Sequence, residues 1–341
     1  MEMGKPLVTG IDIGHRSLKA VILKPAGNSY ALLGYKEIVF ERAIVAENHT
    51  LNHQEIVNTL KVLNKELPRF RRQVALAVPD SAVISKQLQI EPIEDEKECE
   101  IAILQAFSHQ SPFPVDELNI DYVRLHEPAQ SKSASQSVQI FATKKEVVES
   151  RVRAAQAVRL KPVLVDMHAH CLFNLRDLAA QRYPDKSAFC LLDVGAQTTS
   201  LIIHQREKTH FIKEFAYGVE HLNAAIGDEF SAHDAQEKTE RFIVEMVDRV
   251  ARQLQLFQSI NSQDKPQGLW LCGEGAATPL LLEALSRRLS LECELLNPLG
   301  LFEMKVARKK RRSVDWHHFS VAAGLAIGGI QWLENKHEAH H

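Results

Sequence analysis

One local pattern occurs twice in this chain, and the repeat constrains its fold more than any other feature. Ile11-Asp12-Ile13-Gly14-His15-Arg16-Ser17-Leu18 is matched by Leu192-Asp193-Val194-Gly195-Ala196-Gln197-Thr198-Thr199. In each copy an apolar strand ends in Asp-x-Gly, a hydroxyl residue follows three positions after the glycine, and a new apolar strand begins. A single Asp-x-Gly is ordinary turn chemistry; two copies in matching strand contexts are not. Asp12 and Asp193 lie 181 residues apart, far beyond the roughly 20–50 residues of a repeat-array period. Such spacing predicts two related lobes, each carrying one hairpin, facing each other across a cleft.

The rest of the chain agrees with a globular α/β protein. With 341 residues there is ample material for a large core, and a net charge of -2 gives no general attraction to nucleic acid. Cys99, Cys171, Cys190, Cys272 and Cys293 are scattered, with no C-x-x-C pair, which predicts a reducing compartment rather than a disulfide framework. Met1 to Pro6 is polar, and the small apolar run Val321 to Ile330 is far short of the roughly 20 residues of a spanning helix. The expectation is a cytoplasmic protein that reaches a membrane through a partner or at its surface.

Hydrophobic periodicity places strands at Leu7–Ile13, Ser17–Leu23 and Tyr30–Phe40, a helix capped by Asn52 with Ile56, Leu60, Leu63 and Leu67 inward, and a buried strand at Val74–Val78. The texture changes near Glu91, where a β/α block reads as an insertion. The expected division is a first lobe over 1–90 and 161–186 and an inserted subdomain over 91–160. The second lobe is expected over 187–218 and 264–335, with a helical subdomain over 219–263 and a disordered tail over 336–341.

Glycine at a hairpin bend lets backbone N–H groups approach a phosphate closely. Ser17 and Thr198 can add hydroxyls, and Lys19 on the second strand can add positive charge. Asp12 and Asp193, where each strand enters its turn, are the carboxylate pair expected to hold Mg²⁺, which usually keeps several waters between itself and protein. Gly273-Glu274-Gly275-Ala276, between a strand and a helix, suits an adenine-ribose or phosphate.

Gly10 to Gly14 with Ser17 and Lys19 resembles the first phosphate motif of the actin-like ATPase superfamily. Asp193-Val194-Gly195 with Thr198 and Thr199 resembles the second, and Gly273 to Ala276 the adenosine motif. The insertion resembles the repositioned subdomain of the FtsA-type branch. Together with Val78-Pro79, Phe113-Pro114, Asp121-Tyr122, Asn297-Pro298 and Ala323 to Ala326, the pattern is similar to the PilM family of type IV pilus assembly proteins. That resemblance implies an actin-like (ribonuclease H-like) two-lobed fold that binds ATP and Mg²⁺. It also implies an adaptor that docks the cytoplasmic N-terminal tail of PilN, and through it PilO and other inner-membrane pilus components. The expected nucleotide set is Gly14, His15, Arg16, Ser17, Lys19, Gly195, Gln197, Thr198, Gly218, Gly273, Glu274, Gly275 and Ala276.

The sequence departs from the family pattern in four places. His15-Arg16 replaces a serine run, Gly218-Val219 a Gly-Gly pair, Glu274 a common glycine, and His168 a residue that is often acidic. The last implies very slow hydrolysis, and no catalytic residue is assigned. A small-molecule kinase and a polymerising FtsA-like filament share the fold and are the alternatives.

An extended partner tail is expected in a groove between the strand Ala82–Ile90 and the insertion, with Ile84, Tyr122 and Ile140 as contacts. Arg308, Lys309, Lys310, Arg311 and Arg312 could touch acidic lipid, or could simply be a solvated loop. His168, His170 and Cys171 crowd together in sequence, but residues two apart on a helix do not face each other.

Overall fold

The computed structural model describes residues 6–66, 72–125, 135–205, 210–225, 232–261, 264–311 and 313–338. β1 (Val8–Ile13), β2 (Ser17–Ala26) and β3 (Ser29–Val39) form an antiparallel meander, followed by α1 (His53–Glu66) and β4 (Gln73–Val78). Asn52 Oδ1 accepts from the Glu55 amide at 3.3 Å at the start of α1, and Ile56, Leu60 and Leu63 are fully buried beneath it. Leu67 lies outside the described residues.

The chain then leaves this sheet through β5 (Val83–Ile90), α2 (Glu96–Ser108), β6 (Leu118–Arg124) and β7 (Gln136–Lys144). These build a separate three-stranded sheet in the order β5-β7-β6. Asp95 caps α2 by accepting from the amides of Lys97 and Glu98 at 3.0 and 2.9 Å. Cys99, Ile103 and Phe107 of α2 then pack on Leu88, Val138, Ile140 and Ala142. The chain returns through α3 (Lys145–Ala157), β8 (Lys161–Met167) and α4 (His168–Arg182).

The second lobe follows as β9 (Phe189–Val194), β10 (Thr199–Ile203), β11 (Phe211–Phe215), α5 (Val219–Ala225), α6 (Ala232–Ile260), β12 (Gly268–Cys272), α7 (Leu281–Leu289) and β13 (Glu292–Leu295). A short β14 (Glu303–Met304) and the terminal α8 (Ser320–Glu338) complete the chain. The first sheet runs β14-β3-β2-β1-β4-β8 and the second β11-β10-β9-β12-β13. Setting β14 aside, the two orders are the same. The pairing senses match too: β1 with β2 and β9 with β10 are antiparallel, β1 with β4 and β9 with β12 parallel. The repeat seen in eight residues extends to whole sheets.

α4 and α8 lie at the centre, and their residues share one core with both sheets, from Val8 and Ala75 on one side to Leu191 and Trp270 on the other. The small residues of α8 permit this. A Cβ on Gly324 would lie 1.8 Å from the Cys171 carbonyl oxygen of α4, and one on Gly10 would lie 2.1 Å from the Ala322 carbonyl oxygen. Helix meets helix at the first point and helix meets strand at the second.

Four domain limits differ from the sequence-based division. β5 is a strand of the inserted sheet rather than of the first lobe, and α3 packs back on α1 and β8, with Ala154 and Ala155 in the first-lobe core. The insertion is therefore 83–144. The C-terminal segment crosses back: β14 pairs with β3, and α8 packs on β1, β2 and α4. Finally, α8 runs through Glu338, so 336–338 are helix rather than tail, and 339–341 lie outside the described residues. Apolar periodicity reports that a helix is buried, not which sheet buries it.

Candidate functional site

The two hairpin turns close in the same way. The Gly14 amide donates to the Ser17 carbonyl at 3.0 Å, and the Gly195 amide to the Thr198 carbonyl at 2.9 Å. Register matches as well: Asp12 pairs across to Lys19, and Asp193 to Ser200. Cross-strand partners share a face, so each turn presents an aspartate beside a polar side chain on the same side. Between the turns lies a cavity of about 120 Å³. It is lined by Asp12, Gly14, His15 and Lys19 from the first lobe, and by Asp193, Gly195, Gln197, Thr198, Gly273 and Glu274 from the second.

The remaining expected residues lie elsewhere. Arg16 is exposed at the tip of its turn. Ser17 is buried, and its hydroxyl donates to Glu37 Oε1 at 2.8 Å. Gly218 sits under the second turn, where a Cβ would come within 2.4 Å of the Ala196 carbonyl oxygen; Gly275 packs against Val194. Ala276 is buried in the second-lobe core. These residues shape the turns from behind.

Charge in the cleft is organised around Asp12. Burial alone would push its carboxyl up, but His168, Lys19 and Arg151 outweigh that and hold it below its ordinary 3.8. His168 Nε2 stands 3.5 Å from Asp12 Oδ1, an ion-pair distance, and that oxygen has no hydrogen-bond partner among the described residues. A buried carboxylate oxygen that lacks a hydrogen bond fits a cation or its water shell. Asp193 differs: its Oδ1 accepts from Ser320 Oγ at 2.5 Å and Cys272 Sγ at 3.2 Å, and burial raises its carboxyl above 3.8. Among the described residues no three His, Cys, Asp or Glu side chains form a metal-holding group. A divalent ion would have to complete its shell with water and ligand oxygens.

Lys19 is buried, and its ammonium donates to Glu274 Oε1 at 2.6 Å. Burial would lower its pKa, yet Asp12 and Glu274 outweigh that and raise it. His168 is likewise raised against its burial, by Asp12, Asp80 and Glu214.

Sequence reasoning missed several of these groups. Asp80, just after β4, accepts from the Ala169 amide at 3.0 Å at the start of α4, and its other oxygen is buried without a partner among the described residues. Arg151 of α3 is buried and bonds the carbonyls of Ala77, Val147 and His49 at 2.7 to 2.9 Å, with its pKa lowered by burial to about 10. Glu37 and His318 pair at 3.2 Å. Asp80 follows the Val78-Pro79 strand end, a signal already in view; Arg151 sits in an ordinary amphipathic helix and had none.

His168, His170 and Cys171 diverge. His168 turns to Asp12, His170 Nδ1 to Asp166 Oδ1 at 3.0 Å, and the buried Cys171 thiol to the Met167 carbonyl at 3.2 Å. Of the basic run, Arg308, Lys309 and Arg311 are exposed, and Arg311 Nε donates to the Val306 carbonyl at 3.1 Å. Arg312 lies outside the described residues. Among the described residues no helix is long and apolar enough to cross a membrane.

A second cavity, of about 290 Å³, separates the inserted sheet from the first lobe. It is lined by Val83, Asn119, Asp121, Phe141 and Thr143 on one side and by Val78, Val165, Met167 and His170 on the other. The expected partner contacts Ile84, Tyr122 and Ile140 are not on this face. Ile84 pairs with Ala142, and Tyr122 with Ile140, on the side that packs under α2, and Ile140 is fully buried there. Side chains alternate across a strand, so the groove is lined mainly by the residues one position away, with Ile120 and Ala142 also at its wall.

The family profile described as type IV pilus assembly protein PilM matches residues 10–330. Among solved structures, the PilM-PilN type IV pilus biogenesis complex is similar at 24% identity, with a TM-score of 0.77 over 96% of this chain and 98% of that one. The ethanolamine utilization protein EutJ from Carboxydothermus hydrogenoformans follows at 12% identity and 0.52, over 96% and 91%. MreB 5 of Spiroplasma citri, bound to AMPPNP, stands at 10% and 0.53, over 98% and 99%. These three share the actin-like fold with this chain. With nearly the whole sequence inside the family profile, this chain belongs to the PilM family of type IV pilus assembly proteins.

Proposed function

We propose that this chain is a nucleotide-binding adaptor of pilus assembly, taking ATP between its lobes and an extended partner tail beside its inserted sheet. The observation that carries the nucleotide reading is the pair of register-matched hairpins opening on one cleft, with Asp12 Oδ1 buried between them without a hydrogen bond among the described residues. The turns would hold phosphates through backbone N–H groups, and Lys19 would add a charge-assisted bond. Asp12 would orient Mg²⁺ through water, with Asp193, already bound to Ser320, as a weaker contributor.

The partner reading rests on family membership and on the second cavity. Its apolar walls, Val83, Phe141, Val78, Val165 and Met167, carry Asn119, Asp121 and Thr143 among them. β5 and β6 are the edges of the three-stranded sheet, and a strand edge beside a walled groove suits an extended peptide. The peptide would be the cytoplasmic N-terminal tail of PilN, which would link this protein to PilO and the inner membrane. The exposed Arg308, Lys309 and Arg311 would add attraction to an acidic lipid surface.

Two titrations test the proposal. Asp12→Ala should weaken Mg-ATP binding at least about tenfold, the scale of one lost charge-assisted contact; unchanged affinity argues against the cleft. A synthetic PilN tail should bind the wild type and lose affinity on Phe141→Glu, with circular dichroism unchanged. No binding by the folded wild type, with or without ATP, removes the adaptor reading.

A further inference from the structure

Lys19 and Glu274 are 255 residues apart in sequence and belong to different lobes, yet they form a buried ion pair of 2.6 Å across the nucleotide cleft. Their side chains are only 5% and 14% exposed, so solvent screens the pair little. Both ends are rigidly carried. Lys19 lies on β2 opposite Asp12, and a Cβ on Gly14 would be 3.5 Å from its ammonium, which places the charge directly beneath the first turn. Glu274 follows Gly273, whose φ of +88° and close approach to the Val194 carbonyl (a Cβ there would be 2.5 Å away) leave room for glycine alone. The Gly273 amide is anchored to the His317 carbonyl at 2.9 Å. The cavity that remains, about 120 Å³, is well below the roughly 300 Å³ at the small end of ligand pockets.

We propose that the Glu274 carboxylate is a built-in phosphate surrogate: it occupies the ammonium of Lys19 and clasps the two lobes shut when no nucleotide is bound. This rests on the nucleotide reading above, in which Lys19 is the phosphate-binding cation. A carboxylate and a phosphate oxygen make the same charge-assisted bond to an ammonium, so they compete for it. An incoming nucleotide must displace Glu274, and its apparent affinity falls by the stability of the clasp. The clasp makes closure independent of nucleotide, and nucleotide binding a switch from one interlobe contact to another.

Glu274→Gln and Lys19→Gln separate this from a merely structural ion pair. Both remove the clasp, so both should speed amide exchange, without nucleotide, in the 192–199 hairpin and in β2. Their effects on ATP should be opposite. Glu274→Gln frees Lys19 and should tighten Mg-ATP about tenfold, while Lys19→Gln should weaken it by a similar factor. Adenosine, which has no phosphate to compete for Lys19, should not separate the two variants, since the clasp is gone in both. Unchanged exchange in Glu274→Gln, or equal ATP affinity in wild type and Glu274→Gln, overturns the clasp. No ATP binding by any of the three removes the nucleotide reading itself, and the clasp is then judged on exchange alone.

Discussion

Asp193 accepts a hydrogen bond from Ser320 Oγ at 2.5 Å, joining the second-lobe hairpin to the first residue of the helix that fills the first lobe. Both residues are at the cleft, and Ser320 is buried. Asp193 therefore acts as an interlobe tie as well as a hairpin carboxylate. Ser320→Ala should lower unfolding stability by about 1–3 kcal/mol, the usual loss when a buried acceptor gives up a donor. Urea denaturation checks this; a midpoint equal to wild type shows that the tie is dispensable.

The packing of α8 makes a sharper prediction. A methyl group on Gly324 would meet the Cys171 carbonyl oxygen at 1.8 Å, backbone against backbone, with no side chain able to move aside. Gly324→Ala should cost at least about 1–3 kcal/mol, the range for overpacking a close-packed interior. Because α8 carries Ser320, the cleft should loosen as well. Wild-type melting temperature in this variant contradicts the crossing.

Hydrolysis should be very slow, well under the roughly 1 s⁻¹ at the low end of common enzymes. The family resemblance leads one to expect an acidic residue where His168 stands, and Asp12, Asp80 and Glu214 raise the pKa of this ring against the lowering effect of burial. A raised pKa favours the protonated ring, which cannot accept a proton from water. Phosphate release by purified protein measures this. Brisk, Mg-dependent turnover abolished by Asp193→Asn contradicts it.

His170 predicts a pH effect on stability. Burial lowers its pKa, but Asp166, Asp80 and Asp121 outweigh it, so the folded value lies above the ordinary 6.5. Folding therefore favours the protonated ring. This contribution is fully present below about pH 6.5 and is lost as pH rises through the folded value. His170→Gln should flatten the decline in urea midpoint above that pH. An unchanged slope places its cause elsewhere.

What the sequence determined by itself was local and repeated. Asp-x-Gly followed by a hydroxyl residue specifies a hairpin, and its two copies specified two lobes and a shared cleft holding Asp12, Lys19, Asp193 and Thr198. These features need only neighbours in the chain. Tertiary structure decided which surfaces meet. It returned α8 to the first lobe, moved β5 into the inserted sheet, and put Ile140 in a core instead of a groove. A strand's alternation marks two faces without saying which partner covers each. Tertiary structure also assembled the charges around Asp12 from distant segments, with His168 and Arg151 on different helices, and it set Glu274 against Lys19. A buried ion pair between residues 255 apart depends on the closing of two lobes, and no local pattern encodes that distance.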